Sequence, residues 1–112
     1  MYDAFPIVAR TIGVFARPPE NDPTELLKYR YLCQGGGLLF NGPTGVGKSS
    51  LSVQSAACWC NLKPFFSIRP SKSLSTVIIQ AENDDGDVAE MRDGVCKGLG
   101  LTEEERYNFF SN

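Results

Sequence analysis

The chain has 112 residues, 42% of them hydrophobic and 21% charged, with 11 basic against 13 acidic residues and a formal net charge of −2. That composition suits one globular domain and excludes wholesale disorder, and the near-balance of charge excludes a domain whose overall field would hold nucleic acid. Residues 1–6 lack the basic segment and apolar core of a secretion signal and no apolar run approaches a membrane span, so a cytoplasmic, non-membrane protein is expected.

Residues 1–17 alternate apolar Ile7, Val8, Ile12, Val14 and Phe15 with small and polar residues, which fits a short strand or an extended arm. A proline-rich polar stretch, Arg17 to Pro23, reads as a linker, so an arm and linker over 1–22 precedes the main domain over 23–112. Asp22-Pro23-Thr24-Glu25 reads as a helix start with proline in its first turn, and Leu26, Leu27, Tyr29, Tyr31 and Leu32 extend that helix to Cys33 before Gly35-Gly36-Gly37. Arg10, Arg17, Lys28 and Arg30 are spread along this half and read as solvated charges.

Leu38-Leu39-Phe40 is then a short continuous apolar run of the kind that forms a buried parallel strand. It leads into Gly42-Pro43-Thr44-Gly45-Val46-Gly47-Lys48-Ser49, a complete G-x-x-x-x-G-K-[ST] sequence. The spacing has a physical reason. Polyphosphate oxygens demand close approach of unhindered N–H groups, and Gly42, Gly45 and Gly47 allow backbone conformations in which those groups turn inward. A helix opening near Lys48 adds the positive end of its dipole. The Lys48 ammonium suits the β- and γ-phosphates, the Ser49 hydroxyl suits a Mg²⁺ ligand position, and Ser50 continues the binding segment. The chain is therefore expected to bind a nucleoside triphosphate with Mg²⁺.

After the loop, Leu51, Val53, Ala56, Ala57 and Trp59 mark a small-residue apolar helix that ends before Pro64. Trp59, Phe65 and Phe66 read as core, and residues 65–75 as a loop with apolar anchors. The four cysteines, Cys33, Cys58, Cys60 and Cys96, have no C-x-x-C spacing and there is no histidine. Cys58 and Cys60 would point about 200° apart on a helix, so buried reduced thiols are expected rather than a metal site.

Thr76 to Ala81 is β-branched and apolar and reads as a second buried strand, ending in Glu82-Asn83-Asp84-Asp85. A helix follows from Gly86 or Asp87 through Val88, Ala89, Met91 and Val95, with acidic residues in its first turn, and Thr102-Glu103-Glu104-Glu105 starts a last one. The strand–loop–helix–strand–helix order predicts an α/β fold with a right-handed parallel crossover, in which ligands collect at the carboxyl ends of the strands. That edge would unite the phosphate loop with Glu82, a candidate carboxylate for polarising the attacking water, while Asp84 or Asp85 could approach Mg²⁺ through water.

Residues 35–50 together with Val77 to Asp84 resemble the RecA-like P-loop ATPases, most closely the subgroup of RepA-type hexameric helicases within the AAA-family ATPases. The resemblance covers roughly Gln34 to Leu101. It implies a RecA-like parallel sheet flanked by helices, ATP hydrolysis with Lys48 and Glu82 as catalytic residues, coupling to DNA unwinding or replication, a ring of identical subunits and single-stranded DNA as partner. Such cores run beyond about 200 residues, and the Walker B aspartate and arginine finger of the family have no counterpart before Asn112, so the sequence is expected to be the N-terminal part of a larger protein. Two other classes fit the residues: a small-molecule P-loop kinase, which needs an acceptor substrate, and a nucleotide-dependent regulatory module, in which hydrolysis is slow.

Overall fold

A computed structural model of the chain describes residues 9–39, 41–43, 47–80 and 83–111. Helix α1 (Lys48–Cys60) forms its spine, about 20 Å long at 1.5 Å per residue. Its second half is buried almost all round, from Ser55 to Cys60, because alanine, serine and cysteine leave room for neighbours on every side. Two groups of apolar side chains meet it. Leu27, Cys58, Trp59 and Phe65 form one, and Val53, Ala57 and Val95 the other.

The first group is built by a small hairpin, where the sequence pattern points to a helix over 23–33. Strands β1 (Glu25–Leu27) and β2 (Leu32–Cys33) pair antiparallel around a tight turn in which Tyr29 and Arg30 both adopt left-handed backbone angles, φ 58° and 57°. The pattern misleads because the partners that decide it are remote: Lys28 N–H donates to the Arg69 carbonyl at 2.8 Å and Ser71 N–H to the Leu26 carbonyl at 2.9 Å. Asp22 fixes the entry, accepting from Thr24 N–H at 2.9 Å and from the Arg30 guanidinium at 2.7 Å. Fully buried Leu27 then reaches Trp59, whose indole N–H donates to the Ile68 carbonyl at 3.0 Å. Phe66 departs from its expected core place: in the turn between Phe65 and Ile68 it has φ 49° and points to solvent.

The second group is built by α2 (Asp85–Leu99) and α3 (Glu103–Ser111). The α3 start follows the sequence, while α2 starts at Asp85, just ahead of the expected Gly86 or Asp87. Asp84 is the N-cap of α2, its carboxylate accepting from Asp87 N–H at 2.8 Å, and Gly100 ends the helix with φ 64°. Thr102 and Glu105 form a reciprocal capping box: the Thr102 hydroxyl accepts from Glu105 N–H at 3.2 Å, and the Glu105 carboxylate accepts from Thr102 N–H at 3.0 Å. Asn61, at the end of α1, donates to the Glu105 carbonyl at 3.1 Å and accepts from Asn108 at 3.2 Å.

The chain is α/β, but the expected parallel sheet does not form among the described residues, where the sheet is the two-stranded antiparallel hairpin. Leu38, Leu39 and residues 76–80 carry no regular secondary structure, and Phe40 and Ala81 lie outside the described residues. A parallel strand needs both faces covered. Thr76 and Ile78 border a cavity with Ala56, Cys60 and Phe109, but Ile78 is 50% exposed and Val77 and Ile79 are 86% and 93% exposed, so neither face of the segment is covered as a parallel strand requires.

The contact between the Lys63 ammonium and the Glu105 carboxylate holds that carboxyl below the ordinary glutamate range, with the Thr102 bonds adding to the effect. A lowered folded value contributes stability that is complete above the unfolded value of about 4.3 and is lost as the pH falls through the folded one. The melting difference between the wild type and Glu105→Gln is therefore expected to be constant from neutral pH down to the glutamate range and to close below it. Thermal melts followed by circular dichroism across that series check it; a difference that persists in acid would refute the assignment.

Candidate phosphate-binding site

The phosphate loop stands at the start of α1, and its two described ends show how the sequence works. Gly47 is the residue before the helix and takes φ 85°, ψ 28°, a left-handed geometry that glycine adopts without the clash a Cβ brings. Leu51 N–H donates to the Gly47 carbonyl at 3.0 Å, so the helix is hydrogen-bonded from that glycine onward. Its leading N–H groups have no partner within the helix by construction and carry the positive end of its dipole.

The Lys48 ammonium folds back to donate to the Gly42 carbonyl, which joins the first glycine of the motif to its lysine and closes the loop on itself. Lys48 is half-buried, Gly42 is half-buried, and Pro43 and Ser49 are exposed. An exposed hydroxyl beside a half-buried ammonium, both at a helix start, is a donor set for a polyphosphate with its cation. Among the described residues no group of three or more histidine, cysteine, aspartate or glutamate residues gathers to hold a metal ion.

Ser50 is half-buried, and its hydroxyl accepts from the Gln54 side-chain amide at 3.2 Å. Gln54 stands outside the motif, and its one signal in the sequence is the four-residue spacing that places it a turn beyond Ser50. Thr44, Gly45 and Val46 lie outside the described residues, as does Glu82. The flanks of Glu82 are described: Gln80 and Asn83 tie to each other, Asn83 N–H donating to the Gln80 amide oxygen at 2.9 Å. Asp84, a candidate for reaching Mg²⁺ through water, spends its carboxylate on capping α2. Asp85 and Asp87 sit in the first turn of that helix, where the dipole favours negative charge.

The cysteines stand apart from this site. Cys58, Cys60 and Cys96 are buried free thiols, and burial raises the pKa of each, which keeps them protonated and chemically quiet. No helix among the described residues is long and apolar enough to cross a membrane.

A family model described as AAA domain matches residues 9–107. No curated protein and no solved structure matches the chain. The matched stretch takes in the hairpin, the phosphate loop, α1, α2 and the capping box that opens α3, and the chain belongs to the AAA domain family of P-loop ATPases.

Proposed function

We propose that the chain binds ATP with Mg²⁺ through residues 42–50 and hydrolyses it, in a RecA-like arrangement. The observation that carries the reading is the closure of the loop, with Gly47 left-handed at the head of α1 and the Lys48 ammonium brought to the Gly42 carbonyl. A triphosphate entering this loop exchanges that carbonyl for its own β- and γ-oxygens at the ammonium, while the helix N–H groups take the remaining charge. Ser49 supplies a hydroxyl to Mg²⁺, which when bound neutralises charge on the phosphates and fixes their orientation. Glu82, three residues before α2 begins at Asp85, is the carboxylate assigned to polarise the attacking water. Coupling to DNA unwinding in a ring of identical copies, with single-stranded DNA as the stimulating partner, extends the reading on the strength of the resemblance of residues 35–50 and 77–84.

Calorimetric titration of the whole chain with ATP and with AMP, each with and without Mg²⁺, tests the proposal. AMP lacks the two phosphates that the loop and Lys48 address, and at about 1.5–3 kcal/mol per charged hydrogen bond it is expected to bind at least about a hundredfold more weakly. Equal affinities for ATP and AMP, or indifference to Mg²⁺, would refute it.

A further inference from the structure

A cleft of 580 Å³ lies where the β1–β2 hairpin meets the turn after Phe65, lined by Glu20, Glu25, Lys28, Tyr29, Ser67 and Arg69. Its size is that of a ligand site, for which about 300 to 1,000 Å³ is usual. Two tight turns meet at this cleft, and each carries residues other than glycine in the left-handed region: Tyr29 and Arg30 at φ 58° and 57°, Phe66 and Ser67 at φ 49° and 63°. Such backbone is costly and persists where its surroundings fix it, as they do at ligand clamps. Here the Lys28 N–H donates to the Arg69 carbonyl at 2.8 Å and ties the turns together, while buried Leu27 and Phe65 anchor both to the core. The cleft is therefore preformed.

The lining carries two charges of each sign. Among the described residues Lys28 and Arg69 form no ion pair with Glu20, Glu25 or any other carboxylate, and the Glu25 carboxylate accepts from the Ser71 hydroxyl at 3.0 Å. Opposite charges that face one cleft without meeting leave each sign open to a ligand's counter-charge. Glu25 and Lys28 stand three residues apart, roughly 10 Å along an extended chain. A polyanion such as nucleic acid would meet the two carboxylates, and a polycation the two bases. A free amino acid carries both its charges on one carbon, too close together to span them. We infer that the cleft docks an extended peptide of a partner protein, bearing a basic and an acidic side chain two or three residues apart, with the exposed Tyr29 ring as an apolar contact. This docking surface does not depend on the nucleotide reading.

The test is a magnetic-resonance titration of the whole chain, without nucleotide, against end-blocked peptides in which two alanines separate lysine from glutamate, in either order. The wild type is expected to bind one of the two about tenfold more tightly than the all-alanine peptide, the ratio that two exposed ion pairs supply. Lys28→Glu combined with Arg69→Glu makes the lining acidic throughout and is expected to move the preference to a peptide with two lysines. Glu20→Lys, which lies outside the hairpin, is expected to move it toward a peptide with two glutamates. None of these three side chains has an ion pair among the described residues, so melting temperatures near the wild type are expected. If the double variant melts early, Glu20→Lys decides alone. A mixed peptide that binds no better than the all-alanine one, or a preference that the charge changes leave in place, would overturn the inference. An oligothymidylate that displaces the mixed peptide would overturn it too, and make the surface a nucleic-acid site.

Discussion

A Lys48→Ala chain is expected to lose about ten- to a hundredfold in Mg-ATP affinity, the range that one charge-assisted hydrogen bond supplies. The side chain has a single described bond, to the Gly42 carbonyl of its own loop, so the substitution removes no contact to either apolar group around α1. Its melting temperature is accordingly expected to stay near that of the wild type. That pairing of results separates a ligand effect from a folding effect, since a generally destabilised chain would lose both. Lys48→Arg is a sharper control. Arginine keeps the charge but replaces a compact ammonium by a planar fork, and a loop that folds its lysine back onto a glycine carbonyl has the dimensions of the former. Arginine is expected to restore only part of the affinity. An alanine variant that binds Mg-ATP as well as the wild type would refute the role of the loop.

Replacing Glu82 with glutamine is expected to slow phosphate release by about 10²- to 10⁴-fold, the usual worth of a positioned general base, with ATP affinity little changed. The amide has the shape of the carboxylate but cannot draw a proton from water. The expected split, affinity kept and turnover lost, is the signature of a group that acts in the transition state and not on the bound nucleotide. Single-turnover phosphate release beside a binding titration reads both quantities. Turnover that survives the substitution would remove Glu82 from the mechanism and turn attention to the acidic residues that follow it. Asp84 is the weakest of these, because its carboxylate already caps α2.

Elements that carry their own local determinants were legible in the sequence. The Thr102 and Glu105 box and the glycine–lysine step at 47–48 act within one turn of where they stand, and α1 and α3 begin where those residues place them, whereas α2 begins at Asp85 behind an Asp84 cap, ahead of the Gly86 or Asp87 that the pattern suggests. The hairpin was not legible, because Leu26, Leu27, Tyr29, Tyr31 and Leu32 mimic helical spacing while residues 69–71 supply the deciding hydrogen bonds. Phe65 and Phe66 show the same limit at one peptide: identical side chains, one buried against Trp59 and one 69% exposed, separated by a left-handed turn. The runs at 38–39 and 76–80 have strand composition, yet composition cannot supply the neighbour that a sheet requires. For the site, the motif located the loop, and it gave no sign of a cleft between α1 and α2, which Gly94 and Gly98 line with Ser50, Gln54 and Met91.

The exposed apolar segment that ends at Gln80 also bears on how the protein behaves in concentrated solution. From Leu74 to Gln80 there is no charge, no proline and no glycine, and the outward Val77 and Ile79 are almost wholly bare. Stretches of this make stack into cross-β ribbons when they meet their own kind, and natural proteins guard them with flanking charge or proline, which here is supplied on the leading side by Pro70 and Lys72 and not within the run. Crowding such molecules together favours fibrous precipitation over a clear stock, and a capping strand from any source would act as a solubiliser.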